Sequence, residues 1–143
     1  MTKQTQLMQL IIVSQEKELI NTQVEMVRAP ASEGEISVLA NHIPFFSRLE
    51  PGVVTYRHQG QEDTFVVSQG FIDVSPDNVI TIMVDTARAA RDISLVKAQQ
   101  AMEAAKKTMA ESVDRRELLM AEASLKQAML EIQLARKTKH SQI

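Results

Sequence analysis

Met83-Val-Asp-Thr-Ala-Arg-Ala-Ala-Arg-Asp92 divides the chain into two kinds of sequence. Upstream of it, apolar residues tend to alternate, and turns containing Gly, Pro and Asn recur. Downstream, neither Gly nor Pro occurs as far as Ile143, and apolar residues fall at helical spacing. The period of the hydrophobic pattern is the main signal of secondary structure, and here it changes from two to about 3.6. The expectation is an all-β body over residues 1–87 and a helical arm over residues 88–143. Charge divides at the same place. Residues 1–87 carry 5 Lys/Arg and 11 Asp/Glu, a net −6; residues 88–143 carry 11 and 7, a net +4. An acidic β body with a basic helical arm is the feature that any function has to explain.

Composition narrows the classes. A chain of 143 residues suits one small domain plus an appendage. Hydrophobic content of 44% and charged content of 24% are ordinary for a globular protein. Aromatic content is only 3% and Trp is absent, which argues against a stacking platform for bases or sugars. With no cysteine there is no disulfide, no thiolate metal site and no thiol catalysis. No apolar run approaches the length of a membrane span. The first residues, Met1-Thr-Lys-Gln-Thr-Gln, lack the apolar centre of a secretory signal, so the expectation is a chain that stays where it is made.

In the body, strands are expected over residues 7–13, 19–29, 36–39, 45–49, 53–57, 64–67, 71–74 and 79–84. Glu16-Lys-Glu18 reads as a turn. Pro30 is expected to end the second strand because it cannot donate to a ladder. Ser32-Glu-Gly-Glu35 reads as a loop, and Asn41-His-Ile-Pro44 as a break. Glu50-Pro-Gly52 is a β-turn signal in which Gly supplies a positive φ. Residues 58–63 form a hairpin loop, Gln69-Gly70 a bulge or tight turn, and Ser75-Pro-Asp-Asn78 a further turn. Short strands at this spacing suggest a sandwich or a barrel.

The arm holds two heptad seams. Leu95, Ala98, Met102, Ala105 and Met109 step by three and four, as do Leu118, Ala121, Leu125, Ala128, Ile132 and Ala135. Alternating large residues with Ala permits close approach of two antiparallel helices. Between them, Glu111-Ser-Val-Asp114 contains no breaker, although Asp114 with Glu117 resembles a capping box. A folded hairpin and an extended arm are both compatible with this stretch. Arg115, Lys126 and Lys137 lie eleven residues apart, so each step rotates only about 20° and the three form one stripe. Leu119, Leu130 and Leu134 sit beside it. The stripe reads either as a face for an acidic helical partner or as a solvated surface.

Catalytic chemistry is nearly absent. His42, His58 and His140 have no metal-ligand partners at helical spacing. His58 and His140 read as solvated and His42 as a turn residue. Glu33 and Glu35 are close carboxylates without an acid/base partner. Four glycines, at 34, 52, 60 and 70, make no phosphate cradle. Nucleic acid is disfavoured because Lys/Arg on the arm alternate with Glu and no aromatics interleave. A small β-sandwich enzyme or lectin with a helical dimerisation tail would need a polar pocket that the sequence does not supply.

The order of parts, with Ser32-Glu-Gly-Glu35, Val38-Leu39 and Asn41-His42, then Glu50-Pro-Gly52, Ser68-Gln-Gly-Phe71 and Val84-Asp-Thr-Ala87, resembles the epsilon subunit of F-type ATP synthases over nearly the whole chain. The resemblance implies an α+β protein: an N-terminal β-sandwich followed by a C-terminal antiparallel two-helix hairpin. It implies a non-catalytic rotor subunit of the central stalk, coupling proton-driven rotation to ATP synthesis. Its implied partners are the gamma subunit, the polar loops of the c-ring and, when the helices extend, the alpha/beta catalytic hexamer. Glu35 and His42 are then ring- or gamma-facing residues of one loop over 32–42. Arg115, Lys126 and Lys137 face the catalytic subunit, and extension inhibits ATP hydrolysis. The implied location is peripheral, on the cytoplasmic face of the plasma membrane, or the stromal side of a thylakoid. Members that bind ATP here show Ile/Leu-Asp-x-x-Arg-Ala, matched by Ile93, Ser94, Lys97 and Ala98. Ser replaces Asp, and Lys lacks the planar fork of Arg, so no cofactor is expected. The rival is a free-standing module that senses nucleotide through those four residues.

Overall fold

The computed structural model describes residues 6–141, with side chains as far as residue 136. It divides into two compact units, Met1–Ala87 and Arg88–Ile143. The first contains β1 (Met8–Val13), β2 (Glu18–Val24), β3 (Met26–Ala31), β4 (Gly34–Leu39), β5 (Phe45–Leu49), β6 (Gly52–His58), β7 (Gln61–Val67), β8 (Gly70–Val74) and β9 (Val79–Val84). A short strand, β10 (Ala87–Ala89), and a 3-10 turn (Ala90–Asp92) lie at the junction. Then come α1 (Leu95–Glu111) and α2 (Arg115–Ser141).

The body is a sandwich whose strands run in the order β7-β6-β3-β5-β8-β9-β1-β2, with β4 paired to β3. β1 lies parallel to β9 and antiparallel to β2. Alternation explains the core. Met8, Leu10 and Ile12 of β1, Ile72 and Val74 of β8, and Ile80, Ile82 and Val84 of β9 are buried. Successive side chains of a strand point to opposite faces, so these odd-even sets line one side. Val27, Val38, Val54 and Val66 fill the core from other strands.

Several local expectations are corrected. The strand expected over 19–29 is two strands that change partner at Glu25, whose N–H donates to the Arg57 carbonyl at 2.8 Å. Pro30 does not end a strand but lies within β3, opposite Glu35. β3 changes partner there, from β6 at Arg28 to β5 at Ala31. The polar atoms of Pro30 face that gap, where its carbonyl accepts from Glu50 N–H at 2.8 Å. A missing N–H at that point interrupts no ladder. The loop expected at 58–63 shrinks to Gln59-Gly60, with φ of 50° and 77°, flanked by the His58–Gln61 pair. Positive φ at both positions is the hairpin geometry that matches strand twist. Gly52 has no positive φ; a Cβ there would lie 2.9 Å from the Pro30 ring, so close approach is its reason. Gly70 opens β8, and a Cβ there would lie 2.0 Å from the Met83 carbonyl oxygen.

The arm is a hairpin of a 17-residue and a 27-residue helix. Its seam is made of alanine: Ala98 and Ala105 of α1, and Ala121, Ala128 and Ala135 of α2, are buried with Ile132. Leu95, Met102, Leu118 and Leu125 are only half-buried, and Met109 is exposed. The break over residues 112–114 is written in side chains rather than in a breaker. Asp114 Oδ1 accepts from Arg116 N–H at 3.0 Å. Glu117 does not reach back to the Asp114 backbone as a capping box requires. It accepts from Ser112 Oγ at 2.7 Å, and Ser112 Oγ accepts from Asp114 N–H at 3.2 Å.

Candidate functional site

On the body, β5 and β8 carry large apolar residues at the solvent phase of their alternation. In β5, Phe46 shares the outward face with Arg48; in β8, Phe71 shares it with Asp73. Antiparallel register sets Phe46 opposite Asp73 and Arg48 opposite Phe71. The two rings therefore meet diagonally, stacked at 5.4 Å with 19° between planes. Phe46 is 62% exposed and Phe71 43%. Phe71 lies opposite Met83, and Met83 opposite Val13. The result is an apolar row across β5, β8, β9 and β1 on the outer face of the sheet. Phe46 and Phe71 are the exposed members of this row, and Met83 and Val13 are half-buried beside them. Sequence reasoning missed it, although a Phe where a strand's alternation calls for a polar residue is the signal that could have found it.

Glu35 and His42 are not brought together in one loop. Ser32 and Glu33 form a tight turn, and the chain from Gly34 to Leu39 is β4. Four residues of strand, about 13 Å, separate Glu35 from Leu39, and His42 lies beyond it. Glu35 is exposed near one end. At the other end, Asn41 adopts φ 67° and donates its N–H to Asn78 Oδ1 at 2.8 Å; Asn78, at φ 60°, donates Nδ2 to Asn41 Oδ1 at 3.5 Å. Asn tolerates this left-handed backbone better than most residues. Gln6 accepts from Asn41 Nδ2 at 2.9 Å. The clamp presents His42, whose N–H reaches the Leu39 carbonyl and whose ring lies 5.2 Å from Phe45. Exposed Leu39 and Ile43 flank it. His58 is not a solvated turn residue: its Nδ1 lies 2.7 Å from the Gln23 carbonyl.

In the arm, the four nucleotide-motif positions have structural occupations. Ile93 and Ala98 are buried. Ser94 is the N-cap of α1: its Oγ accepts from Lys97 N–H at 3.3 Å and its carbonyl from Ala98 N–H at 3.0 Å. Only the Lys97 side chain is exposed among them at a helix start. On α2, Arg115 and Lys126 are exposed, about 16 Å apart along the axis. The Lys137 side chain, and that of His140, lie outside the described residues. Beside the stripe Leu119 is 59% exposed, while Leu130 and Leu134 are half-buried. Met120 and Met129 add exposed apolar surface that the sequence reading did not single out. Clefts of about 400 and 440 Å³ flank the helix seam, the first lined chiefly by Ala and the second by Gln, Met, Ile and Arg side chains. Among the described residues no cluster could hold a metal ion. One charged side chain is buried: Glu131, 4% exposed, which pairs with Arg88 Nη1 at 3.4 Å. Among the described residues the arrangement offers surfaces and no grouping of nucleophile, base and oxyanion donors.

Residues 7–90 match the family model of the ATP synthase delta/epsilon chain β-sandwich domain. The chain is 40% identical to the ATP synthase epsilon chain 1 of Methylococcus capsulatus strain Bath over 126 residues, covering 87% of this chain and 89% of the relative. It is 38% identical to the ATP synthase epsilon chain of Syntrophobacter fumaroxidans over 129 residues, covering 90% and 96%. Among solved structures it resembles a chain of the Euglena gracilis mitochondrial ATP synthase, in its OSCP/F1/c-ring assembly, with a TM-score of 0.71, 26% identity and coverage of 93% and 81%.

Proposed function

The chain belongs to the ATP synthase delta/epsilon-chain family, among the epsilon chains, and from that premise we propose a rotor subunit anchored by its β body and regulatory through its helical arm. Epsilon chains are non-catalytic stalk subunits, and this one serves ATP synthesis and its coupled ion transport from a peripheral position. No helix among the described residues is long and apolar enough to cross a membrane.

The finer assignments are these. The apolar row of Phe46, Phe71, Met83 and Val13 docks on the gamma subunit. Glu35 meets the polar loops of the c-ring, while His42, at the opposite end of β4, faces gamma. Extension of the arm carries Arg115, Lys126 and Lys137 to an acidic segment of the alpha/beta catalytic hexamer, where it inhibits ATP hydrolysis. The working location is the cytoplasmic face of the plasma membrane. No nucleotide is sensed: Ser94 spends its side chain on capping α1, and Lys97 cannot present a planar fork. Titration of ATP into the full chain by calorimetry is expected to give no binding tighter than millimolar; micromolar binding overturns this.

The observation that carries the reading is the stacked, exposed Phe46–Phe71 pair on the outward face of β5 and β8. The test is ATP hydrolysis by a reconstituted catalytic complex, with the full chain and with a truncation ending at Asp92. Expected is retained binding and raised hydrolysis on truncation. Unchanged hydrolysis with retained binding makes the arm a passive brace. Phe71→Ser in the full chain is expected to weaken binding to gamma at least tenfold; unaltered affinity removes the docking row from the account.

A further inference from the structure

Glu131 is out of place in its surroundings. It is the only charged side chain buried among the described residues, on a helix whose other buried positions are Ala121, Ala128, Ile132 and Ala135. Its carboxylate approaches Arg88 Nη1 with both oxygens at 3.4 Å, and the Arg88 side chain is itself 50% exposed. Arg88 stands before α1, at the junction, and Glu131 stands in the C-terminal half of α2. Between them, α2 packs on the 3-10 turn Ala90–Asp92. The pair therefore spans the open mouth of the hairpin, far from the linker at residues 112–114.

The remainder of the hairpin is built to be marginal. Its seam buries alanines, each of which removes little apolar area from water. Its linker has no residue with a positive φ among Ser112, Val113 and Asp114, and no Gly or Pro. The side chains of Ser112, Asp114 and Glu117 hold the break. In such a hairpin a buried charge has large leverage.

We propose that Arg88 and Glu131 form a clasp that meters opening of the hairpin, in which Glu131 disfavours closure and Arg88 makes closure tolerable. Closing the hairpin strips water from the Glu131 carboxylate; opening it returns that water. A pair with one buried partner contributes little net stability, yet removing the exposed partner is destabilising because the buried charge stays uncompensated. The two residues therefore act with opposite sign. Losing the Arg88 guanidinium leaves a desolvated carboxylate in the closed state and shifts the population to the open state. Replacing Glu131 with Leu gives the site an apolar side chain of similar size, while Arg88 turns to solvent, and the population shifts to the closed state. An ordinary stabilising bridge predicts opening from both changes. The proposal deepens the regulatory reading of the arm and rests on it only for the consequence in the complex.

The chain has no cysteine, so Ala128→Cys, at a position 2% exposed, supplies a single thiol inside the seam. When opening and closing are fast relative to labelling, the rate of reaction with a small thiol reagent reports the open population. In this background Arg88→Ala is expected to raise the labelling rate about tenfold. Glu131→Leu is expected to lower it several-fold, and the double variant to follow Glu131→Leu. Acceleration by both single changes, or a change below about twofold in both, overturns the clasp. If Ala128→Cys props the seam open by itself, the reporter moves to Ala105→Cys and the same ordering is required. The same variants without reporters, measured for ATP hydrolysis in the reconstituted complex, separate the two readings. Labelling in the expected order with unaltered hydrolysis upholds the clasp and removes the inhibitory role. Unaltered labelling removes the clasp whatever hydrolysis does.

Discussion

Replacing Gly70 with Ala should damage the body more than any other single methyl group. The new Cβ would lie 2.0 Å from the Met83 carbonyl oxygen and 2.8 Å from the Val84 Cα, both backbone atoms that no rotamer change can move. An ordinary carbon contact needs about 3.5 Å, so β8 and β9 must part locally by about 1.5 Å. Strands sit about 4.8 Å apart and N–H···O bonds fail beyond about 3.2 Å. One or two ladder bonds beside the Gly70–Val84 pair are therefore lost, at about 1 kcal/mol each. Overpacking adds about 1–3 kcal/mol. A total of about 3 kcal/mol should lower the melting temperature by about 12–24 °C for a body of this size. Thermal unfolding of the full chain, followed by the β signal in circular dichroism, reads it. Gly34→Ala is the control, because its Cβ meets nothing within 4 Å and only its φ of 128° is strained. That change should cost about 1–2 kcal/mol. A Gly70→Ala variant that melts within about 2 °C of the parent, or above Gly34→Ala, refutes the steric account. Because Phe71 follows directly, the proposed docking row predicts that the same variant also loses affinity for gamma.

Gln59→Asn should stabilise the body by about 0.5–1 kcal/mol, since Gln59 holds a φ of 50° that Asn adopts more readily; urea unfolding with an unchanged m-value checks it. Ala128→Leu should overpack the helix seam by about 1–3 kcal/mol, accelerating amide exchange across α1 and α2 while the body's strands keep their protection. Ser94→Ala should remove the cap of α1 and lower arm stability by about 1 kcal/mol, with Ser94→Asp restoring it; helical ellipticity against temperature tells the two apart.

The large division of the fold was legible because two physical periods meet near residue 85. β9 obeys the two-residue period as far as Val84, and α1 obeys the helical one from Leu95. Alanine at the seam positions likewise announced close helix packing. What escaped the sequence were consequences of partners distant along the chain. The bend at Glu25 has no Gly, Pro or Asn to mark it, since the Arg57 carbonyl and a change of partner strand create it. Pro30 does not announce its place within β3, because whether a missing N–H matters depends on which neighbour faces it. The resemblance joins Glu35 and His42 in one loop although the strand expected over 36–39 already parts them, and pairing with β3 extends that strand back to Gly34. Phe46 and Phe71 each look like a core residue alone, and register alone sets them together on the outside. Nothing in the sequence sets Glu131 apart from the other Glu residues that alternate with Lys/Arg on the arm; its burial beside Arg88 does.

The parallel pairing of β1 with β9 also orders events in time. Gln9 is matched with Val79 and Val13 with Met83, so the first strand to be synthesised waits for one made 70 residues later. At about 5–20 residues per second that wait is about 4–14 s. Until then β1 can pair with β2 but not with β9, and the core residues Leu10 and Ile12 lack the Ile80 and Ile82 side of their packing. A ribosome stalled before residue 84 therefore holds a nascent chain with an unmatched strand edge, a substrate for chaperones and proteases. A chain released at Asp92 has every strand of the body. Premature stops on either side of the junction should thus differ in kind: one yields a degraded fragment, the other an accumulating protein without its arm.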